Sequence, residues 1–216
     1  MRNSFAKFRQ PGGNVGAAEM VSETSTYQLR PISVSDFRRM GEAEIFSTDE
    51  RLELVDGEIV AIPPMGPRHA AGIARLSLLL TTRLQGRALV RVQLPATLDD
   101  FSEPLPDLSI TSVDPAFFAV RHPGPCDILW LVEVSDSSLG YDRLKKMRTY
   151  ARNGVREVWI VNLIDHQLEV SRDPSLGEYQ TAFALTVGES IAPLTFPEEQ
   201  FDVLEILGPT QPALEA

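Results

Sequence analysis

The chain has one cysteine, Cys126, and three histidines, His69, His122 and His166. A lone thiol excludes any intramolecular disulfide and leaves neither a zinc cluster nor a disulfide scaffold to build. Its neighbours Pro123, Gly124 and Pro125 mark a loop, in which Cys126 reads as structural. With so few imidazoles, no Ser/His/Asp constellation forms around Ser135, Ser137 or Ser138, which suit the cap of a following helix instead. The first 13 residues lack the apolar core of a signal peptide, and no apolar run elsewhere is long enough to span a bilayer. A cytoplasmic protein without membrane partners is expected. There is no internal repeat, and no helix-turn-helix or zinc finger from which a recognised DNA sequence could be named. Positive charge is also short, with 20 Lys and Arg against 30 Asp and Glu.

That shortage is uneven. Residues 165–216 hold ten acids and the single base Arg172, so residues 1–164 are close to neutral. Between Tyr141 and Arg156 the balance reverses: Arg143, Lys145, Lys146, Arg148, Arg152 and Arg156 face only Asp142. Such a stretch is either a solvated helix face or a phosphate-binding one, with Arg143, Arg148 and Arg152 as its contacts. At 216 residues, 43% hydrophobic and 23% charged, the composition is that of one globular domain with a substantial core.

Residues 1–26 carry Gly, Ser, Asn and small residues without periodicity, the pattern of a disordered arm. A single domain over 27–207 and a flexible tail over 208–216 are expected. Ser33 with Asp36 three residues on opens a short helix to about Ala43. Leu52–Val55, Asp56-Gly57 and Glu58–Ile62 spell a β-hairpin. Ile73, Leu76, Leu79, Leu80 and Leu84 recur at helical spacing within an amphipathic helix from Arg68 to Leu84. Residues 88–94, 107–113, 128–134, 156–163, 168–172 and 179–185 read as strands, the last two as a closing antiparallel pair.

Chemistry concentrates between Glu103 and Lys146. Asp107 follows a proline turn, and Glu133 closes the apolar run Ile128–Val132, which reads as a strand buried on both faces. An ionised carboxylate there needs a cation or hydrogen bonds, supplied by a divalent metal or by a structural Arg or Lys. Two carboxylates on neighbouring strand ends with an ammonium nearby are the minimal equipment for metal-assisted hydrolysis of a phosphodiester. Of the two adjacent lysines, Lys146 borders the apolar stripe Leu144, Met147, Tyr150 and Ala151, whereas Lys145 points to solvent at about 100° per residue.

Glu-x-x-Pro-Asp, the strand ending Val-Glu-Val-Ser, Tyr141-Asp142-Arg143, Lys146, Tyr150, Ala151 and Gly154-Val-x-Glu157-Val-Trp-Ile-Val together resemble the bacterial Uma family of restriction-endonuclease-like proteins. That family is a branch of the PD-(D/E)XK nuclease superfamily. The likeness extends upstream through Arg51-Leu-Glu-Leu-Val-Asp-Gly-Glu-Ile-Val and Gly66-Pro-Arg-His69, covering residues 27 to 185. It implies an α/β (α+β) restriction-endonuclease-like core, a central mixed β-sheet flanked by α-helices, with an N-terminal β-hairpin. It further implies Mg²⁺ or Mn²⁺ held by Asp107, Glu133 and the Val134 carbonyl, and endonuclease chemistry on DNA, for which a homodimer would suit two-strand cutting. The superfamily lysine stands two residues after the glutamate, where this chain has Ser135; Lys146 is the substitute. Glu53, His69, Gln93 and Glu103 are supporting polar residues, and Lys145 competes with Lys146. Two other functions fit the same residues: a non-catalytic binding module that has lost its lysine, and a hydrolase of a smaller phosphodiester.

Overall fold

The structure is a computed structural model describing residues 29–136 and 138–209. The expected arm at 1–26, Ser137 and all but the first two residues of the expected tail lie outside the described residues. Helix α1 (Val34–Glu42) begins where Ser33 accepts the Asp36 amide, the predicted N-cap. Strands β1 (Leu52–Val55) and β2 (Glu58–Ala61) pair antiparallel around Asp56-Gly57. Both turn residues have positive φ, 55° and 77°, as a type I′ hairpin requires. A Cβ on Gly57 would lie 2.4 Å from that of Pro31, so glycine is required there twice over.

The central sheet has six strands in the order β3-β4-β5-β6-β7-β8. They are β3 (Leu89–Val92), β4 (Leu108–Thr111), β5 (Ile128–Ser135), β6 (Glu157–Asn162), β7 (Gln167–Ser175) and β8 (Glu178–Leu185). Only β5 and β6 run parallel, and the chain between them supplies the crossover that parallel pairing demands. That crossover is α3 (Leu139–Tyr141), a π-helix (Asp142–Lys146) and α4 (Met147–Arg152). The result is a mixed sheet flanked by helices.

Helix α2 (Pro67–Arg83) lays Ile73, Leu76 and Leu80 on one face of the sheet, against Trp130, Val132 and Val134 of β5 and Trp159 and Val161 of β6. The intervening β5 residue Leu131 joins Ile128, Tyr150 and Val158 on the opposite face, beneath α4. Strand alternation therefore sends Glu133 to the α4 side. Closeness of α2 to β5 rests on Gly72, where a Cβ would stand 2.9 Å from Val134 Cγ1.

The acidic C-terminal segment is part of this core. Strand β9 (Ser190–Ile191) pairs with β10 (Phe201–Asp202), and α5 (Val203–Leu207) buries Val203, Ile206 and Leu207. Phe201 meets Trp159 edge-on at 6.1 Å, and Phe196 meets Trp130 at 6.2 Å, each pair adding about 0.5–1.5 kcal/mol beyond area burial. Glu198 and Glu199 neutralise Arg83 and Arg87 at the end of α2. Cys126 is exposed and so does not pack as a structural thiol. No helix among the described residues is long and apolar enough to cross a membrane.

Candidate active site

Strand β5 ends with Glu133 buried, and Asp107 stands immediately before the paired strand β4. The Leu108↔Val132 register puts the two acids side by side, and the Asp107 amide lies 3.3 Å from Glu133 Oε2. Asp107 is held from three directions. The Val134 amide donates to its Oδ2 at 2.9 Å, His69 Nε2 lies 3.0 Å from the same oxygen, and Gln93 Nε2 donates to Oδ1 at 3.0 Å. His69 reaches it from the first turn of α2, three residues before Gly72 at the close approach to β5. Gln93 reaches it by leaving β3 in a left-handed conformation, φ 50°.

Glu133 Oε1 accepts the Tyr150 hydroxyl at 2.5 Å and Lys146 Nζ at 3.3 Å. Lys146 is buried and also lies 3.4 Å from Glu53 Oε2, an oxygen that accepts the Leu105 amide at 2.9 Å. The ammonium thus bridges β1 and β5. It reaches both from the π-helix, whose wider turn turns Asp142 and Lys146 inward together; such turns recur at functional sites. Asp142 Oδ2 accepts Ser135 Oγ at 2.7 Å and Ser138 Oγ at 2.6 Å. The serines therefore hold an acid rather than cap the helix through their side chains.

Acids outnumber cations in this cluster, and their protonation shows it. Burial, reinforced by the charges of Asp142 and Asp107 and opposed by Lys146, pushes Glu133 up to about 8. Burial likewise raises Asp142. Burial disfavours the charged form of Lys146, yet Glu133 and Glu53 hold it above the ordinary lysine range. Burial also opposes ionisation of Asp107, but the hydrogen bond and charge of His69 hold its carboxyl below the usual range, and the same hydrogen bond raises His69.

These groups line a cavity of about 460 Å³ closed on one side by the hairpin and the Pro63–Gly66 segment. Glu53, His69, Gln93, Asp107, Glu133 and Lys146, all singled out from sequence, meet there. Other expected residues do not. Glu103 turns away to Arg38 and to Thr97, whose hydroxyl donates at 2.6 Å, while its backbone pairs with Leu54. Lys145 pairs with Glu58 on the surface, Arg143 with Glu169, and Arg152 with Asp56 and Asp99. Arg148 is exposed and, with Arg143, lines a separate groove against β7 and β8. Leu144, the first residue of the expected apolar stripe, is exposed, because Asp142–Lys146 forms a π-helix that shifts the 100° spacing, and the acids that engage these cations come from distant segments.

Sequence reasoning missed Asp142, the Tyr150 hydroxyl bond and Arg51. Asp142 had one local signal, as the only acid in a basic stretch.

The Uma2 family model, "Putative restriction endonuclease", matches residues 34–204, most of the chain and every residue lining the cavity. The chain belongs to the Uma2 family. Uma2 membership makes it a restriction-endonuclease-like protein, a class that usually works with divalent metal ions. A solved structure, "a putative nuclease belonging to DUF820 from Anabaena variabilis ATCC 29413", matches with a TM-score of 0.64. That match has 15% identity over 82% of this chain and 98% of the other, a likeness of fold. No curated protein matches the chain.

The donor set suits a hard cation. Among the described residues no three His, Cys, Asp or Glu stand together as a complete metal site. Magnesium does not require one, because it is commonly held by one or two carboxylates and completed by water and substrate phosphate. Two adjacent carboxylates among surplus negative charge meet that need.

Proposed function

We propose that this protein is a divalent-metal-dependent endonuclease hydrolysing DNA, with residues 27–207 as one nuclease domain. The observation that carries the reading is the pairing of Asp107 with Glu133 in a cavity where Lys146 is fixed between Glu133 and Glu53. Asp107 and Glu133, with the Val134 carbonyl, would hold Mg²⁺ or Mn²⁺, ions that prefer oxygen ligands. The ion supplies a water of lowered pKa and neutralises charge on the phosphate.

The remaining work falls to the chain. Lys146 lies within hydrogen-bonding reach of Glu133 and is already desolvated, so it can orient the attacking water or meet charge developing on the phosphoryl oxygens without reorganising. Tyr150 fixes one oxygen of Glu133. His69 and Gln93 fix the two oxygens of Asp107, and His69 keeps that carboxylate ionised. A homodimer would suit cutting of both strands.

Calorimetric titration of Mn²⁺ into wild type, Asp107→Ala and Glu133→Ala tests the site, with circular dichroism as the control for folding. Wild type is expected to bind and to cut DNA only with the ion, and both folded variants to lose binding and cleavage. Wild-type protein that neither binds Mn²⁺, with or without DNA, nor cleaves would replace this reading with a non-catalytic module.

A further inference from the structure

Duplex DNA is ordinarily held by clustered Lys and Arg that neutralise many phosphates. Of the six cations between Tyr141 and Arg156, Lys146 is buried and three are neutralised, which leaves only the exposed Arg148 and Arg156 for such a face. Arg143 is neutralised by Glu169, Lys145 by Glu58, and Arg152 by Asp56 and Asp99. Two of these pairs fasten the β1–β2 hairpin onto the lysine-bearing helix, and Thr149 Oγ1 adds a bond to Asp56 at 2.9 Å. The hairpin is therefore a fixed wall, and the carboxylates lie within a cavity rather than on an open groove.

That cavity mixes two kinds of lining. Glu53, Asp107, Glu133 and Asp142 are interleaved with the apolar Val60, Ile62, Met65 and Leu105, and Val60 pairs directly with Glu53 across the hairpin. Arg51 also lines it, at the foot of β1. Among the described residues its half-buried side chain makes no ion pair or hydrogen bond, whereas Lys146 and His69, the other cations of the lining, are both engaged by carboxylates. An unengaged guanidinium beside apolar side chains, its cross-strand neighbour Ile62 among them, and a metal-suited carboxylate pair matches one nucleotide: a base on the apolar side chains and a phosphate on the arginine.

We infer that the cavity accepts an unpaired nucleotide of single-stranded DNA, with Arg51 as its phosphate anchor. This rests on the proposed nuclease reading and narrows its substrate. A paired base cannot enter a walled cavity of about 460 Å³ without leaving its stack. Arg51→Ala spares the fold, because the Arg51 carbonyl, which accepts the Ile62 amide at 2.8 Å, is backbone.

The test is fluorescence anisotropy of a short labelled single strand and of the matching blunt duplex in Ca²⁺, beside cleavage of both in Mn²⁺. Wild type, Arg51→Ala and Arg51→Lys are compared, each checked by circular dichroism. The single strand is expected to bind about tenfold tighter than the duplex and to be cut faster, and Arg51→Ala to forfeit that factor. The slope of log affinity against log salt should fall by about 0.7 in Arg51→Ala, one phosphate contact on a single strand, and return in Arg51→Lys. Duplex bound and cut as well as single strand, or an unchanged salt slope in Arg51→Ala, overturns the inference and leaves the endonuclease standing. Neither DNA bound nor cut overturns both.

Discussion

Two glutamates are fully buried at opposite ends of the parallel strand pair, and they are solved differently. Glu157, opening β6, receives Arg172 at 2.6 Å, the Trp159 indole at 2.8 Å and the Leu194 amide at 2.7 Å. It is closed in by the core, with one cation for one acid. Glu133, closing β5, shares a single ammonium with Glu53, has Asp107 and Asp142 close by, and opens on a cavity. Burial of an acid is therefore no sign of function. An acid left with too few cations beside open space is a candidate, because it must either hold a proton or take a cation from outside.

The contrast is sharpest under substitution. Glu133→Gln should lower cleavage on the order of 10³-fold while melting at or above the wild-type temperature, since it removes one of too many acids. Glu157→Gln should do the reverse, losing about 1–3 kcal/mol of stability because it leaves the half-buried Arg172 without its carboxylate, with cleavage by the folded protein unchanged. Urea titrations beside a cleavage assay separate the two; loss of activity from both, or of stability from both, would erase the distinction.

Smaller effects probe how the site is held. Gly72→Ala should destabilise by about 1–3 kcal/mol, because its Cβ would meet Val134 Cγ1 at 2.9 Å, and should also weaken cleavage by moving His69 off Asp107. Chemical denaturation and kcat report the two halves. A last expected effect is on pH. Glu133 titrates at about 8 in the folded chain and at an ordinary, lower value once unfolded, so between those values the folded state keeps a proton that the unfolded state has released. Melting temperature of the metal-free protein should fall as pH rises from about 5 to 8. Glu133→Gln should reduce that slope to the part left by Asp142 and His69, which are raised as well, and Glu157→Gln should leave it whole.

How much of this was legible in the sequence depended on range. Asp-Gly between two short apolar strands, the unbroken run Ile128–Val132 and the leucine-rich helix are local patterns, and each element stands where it was expected. The carboxylates were legible because Glu133 closes a strand with no room for charge. Lys146, preferred over Lys145 from the helical stripe, is the buried one, although Leu144 of that stripe is exposed. Partners from remote segments were not legible: Glu58 for Lys145, Arg38 for Glu103, Glu169 for Arg143. Nor was Gly72, whose need is set by Val134 through space, nor the π-turn, which no hydrophobic period encodes.

The position of Lys146 between Glu53 and Glu133 also bears on how the chain folds. Two segments far apart in sequence, the hairpin and the unit formed by β5 and the helix after it, must come together before Lys146 serves both buried acids. Contacts of that span form late, after the loops that separate them have been closed. Until then Glu133 is better kept in water or protonated. The cluster thus acts as an assembly checkpoint, and refolding should be fastest in mildly acidic solution, where protonated acids can be covered before the hairpin docks on Lys146.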